Sequence, residues 1–347
     1  MEESALHALL RKGQQYAASD ILLKVGQPPA FRVGGALHYL QGEKLKPDQT
    51  KELARLVLAS SRFTGSIDDL HQFDTAYSVP GVGRFRVNVY RQRGTIALAL
   101  RAIPLKIPTF DELRLPSVIR KLAELERGMV LICGAAGNGK SSTLAAMIGH
   151  LNQVRRAHVV TIEDPIEFIH QDGTSLISQR EVGIDCADFA IALRAALRQS
   201  PDAILVGEVR DEETMDIALK AAETGHMLMS TLHTPDVART IGRVLALSGD
   251  RDPQEVRERL ADNLKAVVAQ RLLPRADGQP GLVLAAEVLV VTATARETIR
   301  KPDGNPPLKD VMERGRHPYG MQTFEMHLRE LVKEGLVDVE VARQALL

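Results

Sequence analysis

The sequence predicts an α/β protein in two parts: a small mixed α+β domain, then a doubly wound parallel sheet that carries a phosphate-binding loop. Three observations carry this. Residues 129–133 read as a buried strand and 142–148 as a helix, and between them stands Gly134-Ala135-Ala136-Gly137-Asn138-Gly139-Lys140-Ser141. A strand, a glycine loop with the spacing G-x-x-x-x-G-K-S and a helix, in that order, are the signature of a P-loop. From 157 to 231 strands alternate with helices, the pattern of a parallel sheet. Before residue 102 short apolar runs are broken by glycine and proline, which fits a smaller mixed domain. A chain of 347 residues is also long for a single core.

Taken in order, residues 3–18 read as a helix, and 21–25, 30–33 and 37–40 as short strands separated by Gly26, Pro28-Pro29 and Gly34-Gly35. Pro47 opens a second helix, whose Leu53, Leu56, Val57 and Leu58 fall at helical spacing. Residues 75–79, 84–90 and 95–101 give three more strands. Pro104, Pro108 and Pro116 punctuate 102–117, which reads as a linker. The second part opens with a helix near 118–125. After the P-loop, 157–162, 203–207 and 227–231 are predicted strands, with helices at 188–199 and at 211–223, the latter capped by Asp211. Beyond 235 the pattern is mainly helical: 237–247, then one long helix at 253–272 with Val256, Leu260, Leu264, Val267 and Val268 on a stripe. Strand-like runs at 282–284 and 287–291, and helices at 323–334 and 338–346, close the chain.

Composition narrows the functional classes. Lys plus Arg and Asp plus Glu are both 44, so no basic excess points to nucleic acid. The amino terminus lacks the basic start and apolar stretch of a secretory signal, and no run approaches the ~20 apolar residues of a membrane span. A cytoplasmic protein is expected. Two isolated cysteines, Cys133 and Cys186, allow neither a disulfide framework nor a four-cysteine zinc site. Cys133 falls in a predicted strand and is expected in the core.

In a P-loop, small residues let backbone N–H groups close around the β-phosphate while the helix N-terminus supplies partial positive charge. Gly134, Ala135, Ala136, Gly137, Asn138, Gly139, Lys140, Ser141 and Ser142 are therefore the expected ATP-binding stretch. Lys140 should reach the β- and γ-phosphates, and Ser141 should ligate Mg2+. Hydrolysis further needs an acid to hold magnesium through water, a carboxylate to orient the attacking water, and positive charge at the γ-phosphate. Glu163 and Glu208 both end apolar strands, and in an open α/β sheet that end carries the ligand site. Either could instead be a surface acid capping a helix. His226 and His233 bracket the strand at 227–231; spacing alone assigns neither a role. Arg84 and Arg86 share one face of an alternating strand, opposite Phe85 and Val87, and spacing alone favours a solvated sheet face for them.

Eight motifs in order make the chain resemble the type II and type IV secretion ATPase superfamily, and within it the retraction ATPases of type IV pili. They are Ala18-Ser19-Asp20-Ile21 with Gly26-Gln27-Pro28-Pro29 and Arg32; Arg84-Phe85-Arg86-Val87-Asn88; Arg101-Ala102-Ile103-Pro104; the P-loop; Thr161-Ile162-Glu163-Asp164-Pro165-Ile166-Glu167; Leu205-Val206-Gly207-Glu208-Val209-Arg210-Asp211; Ala221-Ala222-Glu223-Thr224-Gly225-His226; and Thr231-Leu232-His233-Thr234. The match covers nearly the whole chain. It implies a PAS-like N-terminal domain over 1–101, a linker over 102–117, and a RecA-like ATPase domain with a helical C-terminal part over 118–347, assembled as a homohexamer.

The resemblance also implies roles. Glu163 falls on the catalytic base, Glu208 on the Walker B acid that holds magnesium, His226 and His233 on the histidine motif, and Arg84, Arg86 and Arg101 on phosphate-directed arginines. ATP with Mg2+ is the expected cofactor set. The expected partners are an inner-membrane pilus platform protein and a paralogous pilus ATPase, with no nucleic acid and only peripheral contact with the membrane. Several positions depart from the family pattern. Ala135, Ala136 and Asn138 replace its usual Pro, Thr and Ser, Leu22 stands where histidine is common, and residues 294–300 match the retraction-associated segment only in part. The assembly and secretion branch is the alternative, set against by the lack of a long N-terminal extension and of a four-cysteine insert. A weakly hydrolysing accessory ring paralogue is a second alternative, set against by intact Lys140, Glu163 and Glu208.

Overall fold

The computed structural model describes residues 3–104, 106–249, 251–279 and 281–346. They divide into two compact units. The first runs through Lys106 and takes in Pro165–Ile169; the second comprises Ile107–Asp164 and the chain from His170 on.

The first unit contains α1 (Glu3–Gln15), β1 (Asp20–Leu23), β2 (Ala30–Val33), β3 (Ala36–Tyr39), α2 (Pro47–Ala59), β4 (Gln72–Val79), β5 (Gly83–Gln92) and β6 (Thr95–Ala102). The strands form one antiparallel sheet in the order β3-β2-β1-β6-β5-β4. Alternation decides its faces. Phe85, Val87 and Val89 are fully buried with Leu6 and Leu10 of α1 and Leu53 and Val57 of α2, so Arg84, Arg86 and Asn88 are left on the open face. Gly13 lets α1 approach the sheet, since a Cβ there would lie 2.6 Å from Ile21 Cδ1.

The second unit contains α3 (Ser117–Ala123), β7 (Gly128–Cys133), α4 (Lys140–Val154), β8 (His158–Glu163), β9 (Leu176–Glu181), α5 (Phe189–Ala196), β10 (Ala203–Val206), α6 (Glu212–Glu223), β11 (Met227–Leu232), α7 (Val237–Ala246), α8 (Pro253–Asn263), β12 (Leu264–Pro274), β13 (Leu282–Val290), α9 (Ala293–Arg300), α10 (Leu308–Arg314), α11 (Arg316–Tyr319), α12 (Phe324–Lys333) and α13 (Val339–Gln344). Its sheet runs β13-β12-β7-β11-β10-β8-β9, parallel except for β13. Both faces are covered: Met129, Leu131 and Cys133 of β7 join one core with α5 and α6, while Val130 and Ile132 join another with α3 and α4. That is why β7 reads as an unbroken apolar run. Cys133 is buried, as its strand predicts, and burial pushes its thiol up to about 12.

Three expectations are corrected. The long helix at 253–272 stops at Asn263, and Leu264–Pro274 is a strand. From Ala266 its residues alternate between the two cores, Val267 and Ala269 into one and Ala266 and Val268 into the other, after an irregularity between Leu264 and Ala266. An apolar run buried on both faces shows the same hydrophobic residues as a helical stripe, so periodicity does not separate the two. The pieces at 282–284 and 287–291 are one strand, Leu282–Val290, paired with β12 along its length. Of the expected linker at 102–117, Ala102 belongs to β6, and Phe110 and Leu115 are buried in the core of the second unit. Strand β9 and helices α9 and α10 were not legible in the sequence. Among the described residues no helix is long and apolar enough to cross a membrane.

Candidate active site

The P-loop geometry follows from its glycines. Gly134, Gly137 and Gly139 have φ of +146°, +79° and +76°, the left-handed region that side chains disfavour. At Gly134 a Cβ would also come within 2.5 Å of the Gln270 carbonyl oxygen. Gly139 is the N-cap of α4 and no side chain caps the helix there, so the helix dipole and the first-turn N–H groups face the loop. Lys140 is the first residue of α4 and is 8% exposed. Its Nζ donates to the carbonyls of Gly134 at 2.8 Å and Ala135 at 3.0 Å.

Parallel strands deliver the other groups to the same edge of the sheet. Past β10, the Gly207 N–H donates to Ile162 O at 2.7 Å, and a Cβ on Gly207 would lie 3.4 Å from Glu163 Cα. A Cβ there would also lie 3.2 Å from Ile162 O, a tight contact that glycine avoids where the ends of β8 and β10 abut. Thr231 Oγ1 donates to Gly207 O at 2.6 Å and fixes this turn against β11. Glu208, which follows, bonds to Arg210 and lies 3.5 Å from His233 Nε2 through its other oxygen. Arg210 in turn reaches Asp164 at 3.9 Å. His233 Nδ1 stands 3.5 Å from Lys140 Nζ. An ammonium only donates, so His233 meets both neighbours when Nδ1 accepts and the proton sits on Nε2, facing Glu208. Glu163 is held separately: Thr161 Oγ1 donates to its Oε1 at 2.7 Å and Gln179 Nε2 at 3.0 Å.

Lys140, His233 and Glu208 thus converge. The structure adds Arg210 and Asp164, which lie in the same motifs within two residues of Glu208 and Glu163 but to which the sequence reading gives no role. His226 does not join them within this chain. It precedes β11, at the opposite end of the strands from the P-loop, about 20 Å away at the rise of six strand residues. There its Nδ1 lies 3.1 Å from Ala221 O and 3.2 Å from Thr224 Oγ1, finishing the end of α6.

The arginines of the first unit form a cross-strand row on its open sheet face. Asp20 pairs in register with Arg32 and with Arg101, and Arg101 with Arg86. Asp20 holds Arg101 Nε at 3.0 Å and Arg32 Nε at 3.4 Å, while Arg84 Nη1 donates to Ser78 Oγ at 3.2 Å. Three arginines against one aspartate leave the row net positive.

The donor set fits a nucleotide polyphosphate: an uncapped helix N-terminus, loop glycines in anion-cradling conformation and a buried lysine. Among the described residues no group of three His, Cys, Asp or Glu forms a metal cage.

Fold and site together define a P-loop nucleotide hydrolase with a RecA-like sheet. The family model described as Type II/IV secretion system protein matches residues 105–345, and the chain belongs to that family. The type IV pilus ATPase PilU of Pseudomonas aeruginosa is 41% identical over 98% of this chain and 87% of its own length. The type IV pilus retraction ATPase PilT of the same organism is 39% identical over 97% of this chain and 96% of its own. A crystal structure of the pilus retraction motor PilT with bound ADP is similar with a TM-score of 0.85 at 40% identity, covering 97% of this chain and 95% of that one.

Proposed function

We propose that this protein is an ATP-hydrolysing motor that powers retraction of type IV pili. The observation that carries the reading is the convergence of Lys140, His233 and Glu208 at the P-loop, in a chain similar along almost its whole length to PilT. Lys140 and the first turn of α4 bind and orient the phosphates. Glu163, whose Oε1 accepts from Thr161 and Gln179, would orient the attacking water. Ser141, with Glu208 through water, would hold magnesium, which supplies charge neutralisation at the phosphates. Arg84, Arg86 and Arg101 would add positive charge as phosphoryl transfer proceeds, from a neighbouring subunit or from their own chain.

On this reading the working form is a homohexameric ring in the cytoplasm, in which hydrolysis drives relative movement of the domains. It acts on the pilus through an inner-membrane platform protein and touches the membrane only through that partner. The test is a strain lacking the gene. Abundant surface pili with no twitching, restored by the wild-type gene and not by Lys140→Ala, are expected; bald cells would refute retraction in favour of assembly. A second reading, an accessory ring working beside a paralogous pilus ATPase, is favoured by the 41% identity to PilU. It predicts that loss of this gene changes retraction only when the paralogue is limiting.

A further inference from the structure

The ladder between β7 and β12 ends where Ala269 pairs with Cys133, because there β7 gives way to the P-loop. Strand β12 continues to Pro274. Its next residues therefore face the loop where a strand would otherwise stand. The Gln270 carbonyl crowds Gly134, and the Leu272 N–H donates to Asn138 Oδ1 at 3.0 Å. The Leu272 side chain lies against Gly139, 3.5 Å from where a Cβ would be. Gln270 is fully buried, and its Nε2 donates at 2.7 Å to Thr143 Oγ1 in the first turn of α4. The other face of β12 carries Arg271 over the Phe324 ring of α12, 4.5 Å from its centroid.

We infer that Gln270 and Asn138 are positioning residues of the nucleotide site, by which β12 clasps the P-loop and the start of α4 in the shape that receives phosphate. Asn138 replaces the missing strand partner: its carboxamide oxygen takes the Leu272 N–H that β7 no longer reaches. A serine at this position would carry its oxygen one bond nearer the backbone and fall short of that N–H. Gln270 does the same for the helix, fixing through Thr143 the turn that presents Lys140 and Ser141. Neither side chain touches the reacting atoms, so each acts by reducing the conformations the loop must give up when phosphate binds.

The inference rests on the P-loop binding nucleotide, and the experiment separates the two. Full-length wild type, Asn138→Ala, Asn138→Ser, Gln270→Leu and Lys140→Ala are compared by titration with fluorescent ADP, by KM and kcat for ATP, and by melting without nucleotide. Asn138→Ala and Gln270→Leu should each raise the ADP Kd and the ATP KM about five- to tenfold, the effect of one lost hydrogen bond. At saturating ATP kcat should stay within about twofold, the signature of lost uniform binding. Asn138→Ser should behave as Asn138→Ala. Asn138 lies half-buried in the loop, so its variants keep the test open if Gln270→Leu does not fold. A lowered melting temperature with unchanged Kd and KM would make both residues merely structural and overturn the inference, as would no change in any readout. If Lys140→Ala bound ADP like wild type, the nucleotide-site reading would fall first and this inference with it.

Discussion

Lys140 Nζ and His233 Nδ1 lie 3.5 Å apart, so the strand that ends at Leu232 sets a histidine against the P-loop lysine, with Glu208 on the imidazole's far side. His226 shares the same histidine motif yet sits at the other end of that strand. His233→Ala should lower ATP turnover at least tenfold with little change in melting temperature. His226→Ala should act within this chain by loosening the end of α6, at about 1 kcal/mol, the worth of a hydrogen bond. Turnover of each variant, set against its thermal stability, checks the contrast; equal losses of turnover would contradict it.

Glu163→Gln and Glu208→Gln keep the shape of each side chain and remove its charge. Both should bind ATP with near wild-type affinity and lose about 10²-fold or more in hydrolysis, the scale of a lost acid–base or charge-stabilising group. Equilibrium binding and single-turnover assays read the two quantities separately. A variant that hydrolyses at the wild-type rate has no such role.

The arginine row predicts dependence on assembly. An arginine brought to the γ-phosphate is worth roughly 10³ to 10⁵ in rate. Arg84→Ala, Arg86→Ala and Arg101→Ala should therefore bind nucleotide normally while at least one loses most of its turnover, and wild-type turnover per site should rise with ring formation followed by light scattering. Undiminished turnover in all three variants would return the row to the solvated sheet face that spacing also allows.

Glu287 makes stability depend on pH. It is 8% exposed on β13, and burial raises its pKa to about 7, with Asp236 adding to the shift while the Val237 N–H, Arg271 and Lys309 oppose it. Between the ordinary glutamate value of about 4.3 and about 7, the folded state holds a proton that the unfolded state has released. Unfolding therefore releases a proton, and this group's contribution to stability falls as pH rises through that window, by roughly 3 to 4 kcal/mol in all. Denaturant melts at pH 5 and 8 of wild type and Glu287→Gln read it: the variant should lose less stability over the interval. Parallel pH profiles would contradict the shift.

Much of this was legible because single residue types carried the instruction. Gly139-Lys140-Ser141 after an apolar strand announces the P-loop, and Asp211 before an amphipathic run announces α6, whose N-cap it is: its side chain accepts from the Thr214 N–H. Glu163 and Glu208 stood out because each ends a predicted apolar strand, whereas His233 was singled out only by the family resemblance. What stayed hidden depends on pairing across distance. Residues 264–274 are strand because β7 and β13 flank them, which no local period encodes. The strand between His226 and His233 was legible, but not that His233 alone would meet Lys140 and Glu208, since that depends on contacts made across the sheet. Gln270 and Asn138, 132 residues apart in sequence, meet the same loop only because β12 outruns β7.

Whether this P-loop hydrolyses ATP is read by steady-state phosphate release. Full-length wild type and Lys140→Ala are purified in parallel, brought to the same oligomeric state and supplied with ATP and Mg2+. Wild type should release phosphate continuously and saturably, and Lys140→Ala, stripped of the buried ammonium at the loop, should fall at least about 10²-fold toward the buffer rate. Equal rates from the two proteins, or no release above buffer from either, would contradict the account.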